Sequence, residues 1–362
     1  MIADEEGFWY PQVDKSTCVN CEICEKVCPV IHKFISDNSR GTRALAAINS
    51  DTETRLISSS GGIFTLLAEW ILKKKGVVFG ATFSDDFQTV NHIYIDDVNN
   101  ITKLQGSKYV QSKIGTAYED VKSFLDMGRM VLFTGTPCQI GGLYSYLRKD
   151  YPNLFTQDII CHGVPSPLVW KKYLEERERK AKSRTTKVFF RNKKYGWKAY
   201  SVFLEFTNKK VYIKGLSEDS FMRAFLSNAC LRPSCYNCSF KSVKRQSDLT
   251  LADFWGVQSV SPELDDDKGT SIVIIHSKKG EELFSGIRNQ IICTDTNLEL
   301  IKKYNSSIVE SAKINPNRRA FMDELQVKSF DKTVDKYFKI SIKRRIRIIL
   351  TKSGLIKVLK KS

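Results

Sequence analysis

Apolar residues recur along this chain with two different periods. In SSSGGIFTLLAEWILKKKG, the positions Ile63, Leu66, Leu67, Trp70 and Ile71 stand at helical spacing and predict an amphipathic helix. Ser58 to Ser60 offer N-cap oxygens ahead of it, and Gly76 offers a stop behind it. The next run, VVFGATF, reads as a buried strand. MVLFT, LFTQDIIC, KVFFR, YSVFLEF and SIVIIH repeat that signature further on, alternating with helical patterns such as PLVWKKYLEERERKAK. Alternation of this kind predicts an α/β or α+β layered core. Four regions follow: a Cys-rich opening (1–35), two parts of the core (36–128 and 129–300), and a basic helical tail (301–362). The second region opens on a polar stretch, SDNSRGTRALAAINSDTETRL. No fixed-period repeat and no Pro-rich or Gly/Ser-rich linker divides the middle.

At 362 residues, with 42% apolar and 27% charged residues, the chain can bury two substantial cores. Collagen-like, low-complexity and disordered classes are excluded. No apolar run reaches the roughly 18–20 residues that span a bilayer, and the acidic opening MIADEEGFWYPQVDKS is unlike a secretory signal. A cytoplasmic protein is expected. The net charge is +17, but residues 301–362 hold 17 Lys+Arg against 5 Asp+Glu, a net +12. The body is only mildly basic, so no nucleic-acid partner is expected. Within the tail, Ile342, Ile346, Ile349 and Leu350 form one stripe, with Lys343, Arg344, Arg345 and Arg347 largely around the other faces. A helix of that pattern lies on an anionic membrane surface, here the inner face, or packs on the body or a partner subunit.

Ten cysteines are many for a reducing compartment, where clustered thiols serve metals or redox chemistry. Cys18, Cys21, Cys24 and Cys28, followed by Pro29, spell the bacterial ferredoxin run C-x2-C-x2-C-x3-C-P. Three thiolates two residues apart wrap one cubane, and the fourth ordinarily reaches a different cluster. A zinc ribbon would instead space two C-x2-C pairs by a dozen or more residues. No second run is present in the chain, and DEEGFWYPQVDKSTC is similar to the segment linking the halves of a two-cluster module. The expectation is that Met1 is internal to a longer reading frame, with a first Cys run upstream of it.

A second set is more dispersed. Cys138 follows the apolar run MVLF, Cys161 follows LFTQDII, and Cys235 with Cys238 forms a C-x2-C. A Cys just after each of two strands lies at the sheet edge where α/β proteins build their sites. Four such thiols suit a second 4Fe–4S cluster or, by ligand count alone, tetrahedral zinc. Unligated thiols are the third possibility.

The ordered motifs SSGGIFTLLAEW, QGSKYVQS, GTPCQIGGL, DIICHGVPSP, SCYNCSFK and SDLTLADFWG resemble the beta subunits of coenzyme F-420 hydrogenases and dehydrogenases. The likeness is nearest to bacterial relatives that carry an N-terminal ferredoxin module, and it covers residues 1 to about 300. It implies an iron–sulfur flavoprotein oxidoreductase: clusters carry single electrons, and FAD or FMN exchanges a hydride with a deazaflavin or another small-molecule acceptor. By position it makes Cys138, Cys161, Cys235 and Cys238 the ligands of one cluster and leaves Cys230 and Cys293 as bystanders. Expected partners are a redox protein or ferredoxin and the small-molecule acceptor. Rival readings are a reductase of surface-polysaccharide synthesis, an electron-transfer subunit without catalysis, and a zinc-stabilised protein that binds nucleic acid or lipid.

The resemblance sets the flavin near three loops, whose residues suit the task. Ser60, Gly61 and Gly62 stand at a helix start, where free N–H groups and the helix dipole favour an anion. Gly106, Ser107 and Lys108 combine a flexible backbone, a hydroxyl and a cation. Lys193 and Lys194 could pair with an anionic acceptor, and Asp253 could accept from a ribityl or ring N–H. Each alone is weak, because Gly-Gly before a helix is commonly an ordinary turn. No G-x-G-x-x-G, Ser-His-Asp or H-E-x-x-H pattern occurs. His162, beside Cys161, is the one histidine near a proposed site.

Overall fold

The computed structural model describes residues 1–32 and 42–340. The chain opens with a short antiparallel pair, β1 (Ile2–Ala3) and β2 (Trp9–Tyr10), and a one-turn helix, α1 (Ile23–Lys26). There follow β3 (Arg43–Asn49), α2 (Thr52–Ile57), α3 (Ile63–Lys73), β4 (Val77–Phe83), β5 (Val90–Ile95), α4 (Ile101–Leu104), β6 (Ser112–Lys113) and α5 (Ala117–Asp126). Next come β7 (Val131–Gly135), α6 (Pro137–Leu147), β8 (Leu154–Ile159) and α7 (Pro167–Ala181). The strands β9 (Thr185–Asn192), β10 (Ser201–Phe206) and β11 (Val211–Gly215) lead to α8 (Ser220–Leu226) and β12 (Leu249–Asp253). The described chain then runs through α9 (Val257–Val260), β13 (Ser271–Ile275), α10 (Lys278–Ile287), β14 (Ile291–Thr296), α11 (Leu298–Tyr304), α12 (Arg318–Val327) and α13 (Phe330–Tyr337).

Nine strands form one mixed sheet in the order β14-β3-β13-β12-β8-β7-β4-β5-β6. The centre, β12-β8-β7-β4, is parallel, and antiparallel pairs flank it. Such buried central strands read as unbroken apolar runs, which is why VVFGATF and MVLF are legible. Helices cover both faces. On one, Leu67 and Ile71 of α3 and Leu283 and Phe284 of α10 meet Val78, Leu132 and Val273 of the sheet. On the other, Val121 of α5 and Ile140 and Leu143 of α6 meet Val77, Phe79 and Phe133.

A second core lies between the three-stranded sheet β11-β10-β9 and helices α7, α8, α12 and α13, centred on Trp170, Tyr173, Phe190 and Phe221. Phe321, Met322, Leu325, Phe330 and Val334 are buried in it. The described part of the expected helical tail thus carries α11, α12 and α13, of which the last two pack in this core. The amphipathic stripe at Ile342–Leu350 lies outside the described residues, as does the boundary expected at residues 35–36.

One region gains a strand, and one expectation is corrected. The polar stretch before α3 contains β3, which sits between β14 and β13, so regions 36–128 and 129–300 interleave in one sheet. The α3 N-cap is Gly62, at φ 81°, with no side-chain cap. Ser58 Oγ instead donates to Thr54 O, and Ser60 Oγ donates to Thr270 O.

Candidate metal centre and adjoining sheet edge

The parallel strands β7, β8 and β12 end side by side, and their carboxyl edge carries the chemistry, as in other open α/β sheets. β7 turns at Thr136 into α6. The Thr136 side chain and Gln139 form a reciprocal capping box, and Pro137 occupies the first turn, which fixes Cys138 at the helix start. Cys161 lies two residues beyond β8. The loop after it is stitched to the Cys235 loop by the bridge Pro165–Leu231, by Arg232 N donating to Val164 O (2.9 Å), and by Ser166 N donating to Cys230 O (2.8 Å). A short 3-10 turn, Pro233–Asn237, then presents Cys235 and Cys238. Cys235 N donates to Arg232 O (2.8 Å), and Cys238 N donates to Ser311 Oγ (2.9 Å).

Cys138, Cys161, Cys235 and Cys238 thereby line one cavity, with His162, Phe240, Lys241 and Arg245 in its wall. Cys230 is fully buried and Cys293 lies on β14; neither lines the cavity. Burial pushes the Cys161 thiol up to about 12 and that of Cys235 up to about 11, while the Cys138 side chain is exposed. Thiolates here need positive charge. Lys241, whose Nζ donates to Cys161 O and to Ser307 O (2.8 Å), favours the Cys161 thiolate, and Arg232 favours those of Cys138 and Cys235. Among the described residues, no three His, Cys, Asp or Glu side chains are arranged to hold a single ion. Tetrahedral zinc draws its ligands within about 2.3 Å of one point. A 4Fe–4S cluster sets iron and sulfide between its thiolates, and four thiols lining one cavity with cations behind them fit such a cluster. His162 Nε2 meets Asn228 Oδ1 at 2.7 Å, and burial lowers its basicity.

The first cysteine run is less gathered. Left-handed residues at Asn20 and Glu22 reverse the loop, and Cys24 sits in α1 with Cys28 just beyond. Cys18, Cys21 and Cys24 are exposed, and Cys28 is half-buried. The segment ahead of the run is clamped firmly. Phe8 is buried, Glu6 forms a bidentate pair with Arg318, and Arg232 donates to Trp9 O (3.0 Å) while lying 4.1 Å over the Tyr10 ring. Arg232 thus holds the N-terminal segment and the Cys235 turn together.

The residues expected around a flavin are drawn together but largely spoken for. Ser107 N and Oγ meet Ser59 Oγ at 2.7 and 2.9 Å, joining the GSKY loop to the start of α3. Gly61 N donates to Ser271 Oγ, and a Cβ at Gly61 would stand 2.6 Å from Ala47 O, so its missing side chain serves strand packing rather than ligand approach. Lys193 Nζ donates to Arg55 O (2.6 Å), Ser60 O (2.8 Å) and Lys268 O (2.6 Å) instead of awaiting an anion. Asp253 accepts from Arg191 (2.6 and 3.2 Å) and Trp197 Nε1 (3.2 Å). Lys108 Nζ donates to Gln105 O (2.7 Å) and Lys103 O (3.2 Å). Burial lowers both lysines to about 7. Gly106 faces open space, and Lys194 is exposed.

Sequence reasoning missed an aromatic–guanidinium group beside Asp253. Arg191 also meets Tyr109 Oη (3.3 Å) and lies 3.9 Å over the Tyr200 ring, while Trp197 and Trp255 stack at 4.9 Å. The signal available was the aromatic content of RNKKYGWKAY and ADFWG.

Residues 128–299 match a family described as the C terminus of the coenzyme F420 hydrogenase/dehydrogenase beta subunit. No curated protein matches the chain by sequence. The fold is similar to a chain from the F420-reducing [NiFe] hydrogenase complex of Methanosarcina barkeri. The two are 20% identical, with a TM-score of 0.52, and the match covers 80% of this chain and 95% of that one.

Proposed function

Because the chain belongs, through residues 128–299, to the coenzyme F420 hydrogenase/dehydrogenase beta-subunit family, we propose that it is an iron–sulfur flavoprotein oxidoreductase that passes electrons between a redox partner and a small-molecule acceptor. The observation that carries this reading is the convergence of Cys138, Cys161, Cys235 and Cys238, from three separate segments, on one cavity at the carboxyl edge of the sheet. Those four would hold a 4Fe–4S cluster, and the run from Cys18 to Cys28 would hold another. When bound, such clusters supply one-electron transfer and a flavin supplies two-electron exchange. Lys241, Arg245 and Arg232 offset the negative charge of the thiolates, and Phe240 and Val164 help exclude water from them.

A second reading has one observation in its favour. Ser60, Gly61, Lys193 and Asp253 spend their polar groups on protein partners. Ground for a flavin is then narrowed to open Gly106 and the exposed edge of Trp255. An electron-transfer subunit without flavin would keep the cysteines and lose only that occupant.

Iron, sulfide, zinc and flavin analysis of anaerobically purified protein tests both. About four irons per cluster, with flavin released by acid, supports the oxidoreductase. Iron without flavin supports the electron-transfer subunit, and a colourless zinc protein overturns both.

A further inference from the structure

The three-stranded sheet has an inner face in the second core and an outer face that no other element covers completely. On that outer face, register aligns Phe189, Phe203 and Ile213 in one row across β9, β10 and β11. Val211 and the end of α2 extend the row into a groove of about 320 Å³, walled by Leu56, Asn192, Lys193 and Lys194. The groove is shallow: Phe189 is 44% exposed, Leu56 45% and Val211 53%. A site that open cannot enclose most of a small molecule, as ligand pockets do. Contiguous exposed apolar surface rimmed by charge is instead a mark of protein contact.

The charge is one-sided. Residues 185–215 contain eight Lys or Arg and a single acid, Glu205, which is paired with Lys187 at 3.0 Å. Two of these lysines stand on the outer face: Lys187 lies in the row of Glu205, two residues from Phe189, and Lys194 walls the groove. The groove also adjoins the candidate site: Lys193 in its wall donates to Ser60 O, and Arg191 on the same strand grips Asp253.

We propose that the outer face of β9–β11, with the end of α2, is the docking surface for an acidic electron-transfer protein, which seats an apolar side chain in the groove and sets its carboxylates against the lysines. The partner's redox character rests on the function proposed above, and its acidity rests on the charge of the sheet.

The test measures anaerobic binding of a purified acidic 2[4Fe–4S] ferredoxin to the full chain by calorimetry, with duplex DNA and self-association measured in parallel. Affinity should fall at least ~10-fold between about 50 and 200 mM salt. The double variant Lys187→Glu/Lys194→Glu should weaken binding by about 10-fold or more, and Phe203→Ser/Ile213→Ser should speed dissociation by about 10-fold. Lys278→Glu, on helix α10, which does not line the groove, should change affinity by less than about 2-fold. Absence of ferredoxin binding, or binding indifferent to both double variants, overturns the proposal. So does self-association or DNA binding that those variants abolish while ferredoxin binding is unchanged. Bound cofactors with no ferredoxin binding would remove this surface alone, whereas a zinc protein would remove the function proposed above.

Discussion

Replacing Arg191 by Met removes one half of a buried ion pair that joins the two sheets. The guanidinium is 4% exposed and the Asp253 carboxylate 17%, with oxygens 2.6 and 3.2 Å from two of its nitrogens. Truncation leaves Asp253 with Trp197 Nε1 at 3.2 Å as a remaining donor. Breaking a buried pair from one side costs about 3–5 kcal/mol, because the orphaned charge stays desolvated. Asp253→Asn, which leaves the guanidinium over Tyr200 and near Tyr109, should cost a similar amount. The double variant should cost less than the sum by about 1–3 kcal/mol, since no charge is then left unpaired. Urea unfolding, followed by circular dichroism and by the fluorescence of stacked Trp197 and Trp255, reads these values from the midpoint at unchanged slope. Single-variant costs below about 1 kcal/mol, or strict additivity, would refute the claim that this pair ties β9 to β12.

Acid should destabilise the chain through its buried histidines. Burial holds His92 at about 4, while an unfolded histidine titrates near 6.5, so the unfolded state binds more protons between those values. Stability is therefore full above pH ~6.5 and falls by about 3 kcal/mol towards pH ~4; His92→Gln should flatten that part of the pH profile of urea midpoints. Arg318→Ala should release the Glu6 clamp and cost about 2 kcal/mol locally, read as faster hydrogen exchange at residues 2–10 and faster tryptic cleavage at Lys15. If exchange at Phe8 and Trp9 is unchanged, the clamp is not what holds the N-terminal segment.

Elements that bury both faces are plain in the sequence: β4, β7 and β13 are apolar runs, and α3 and α7 carry a helical stripe. β3 escapes the pattern because RALAAIN is rich in alanine and flanked by polar residues, so its place between β14 and β13 is set by its neighbours. β5 escapes it because VNHIYI interleaves polar residues, including His92, which bonds to Ser112 Oγ and Thr134 O. Helices α12 and α13 resemble tail because charge dominates their composition, and only their packing against α7 and α8 makes them core.

The positions of Cys138 and Cys161 are readable because each follows an apolar strand, and parallel neighbours end together. Arg191 is not readable, since its partners Asp253 and Tyr109 lie 62 and 82 residues away. Lys193 reads as a free cation because a sequence displays the ammonium and conceals the three carbonyls that satisfy it.

The central claim is that Cys138, Cys161, Cys235 and Cys238 hold one cluster. Its most direct test compares iron content and the electron paramagnetic resonance of the dithionite-reduced protein with those of Cys161→Ser and Cys235→Ser, using Cys293→Ser as control. Each of the first two variants should lose about four irons and the same reduced-cluster signal, with circular dichroism unchanged, while the control keeps both. Full iron and an unaltered signal in Cys161→Ser and Cys235→Ser would contradict the account.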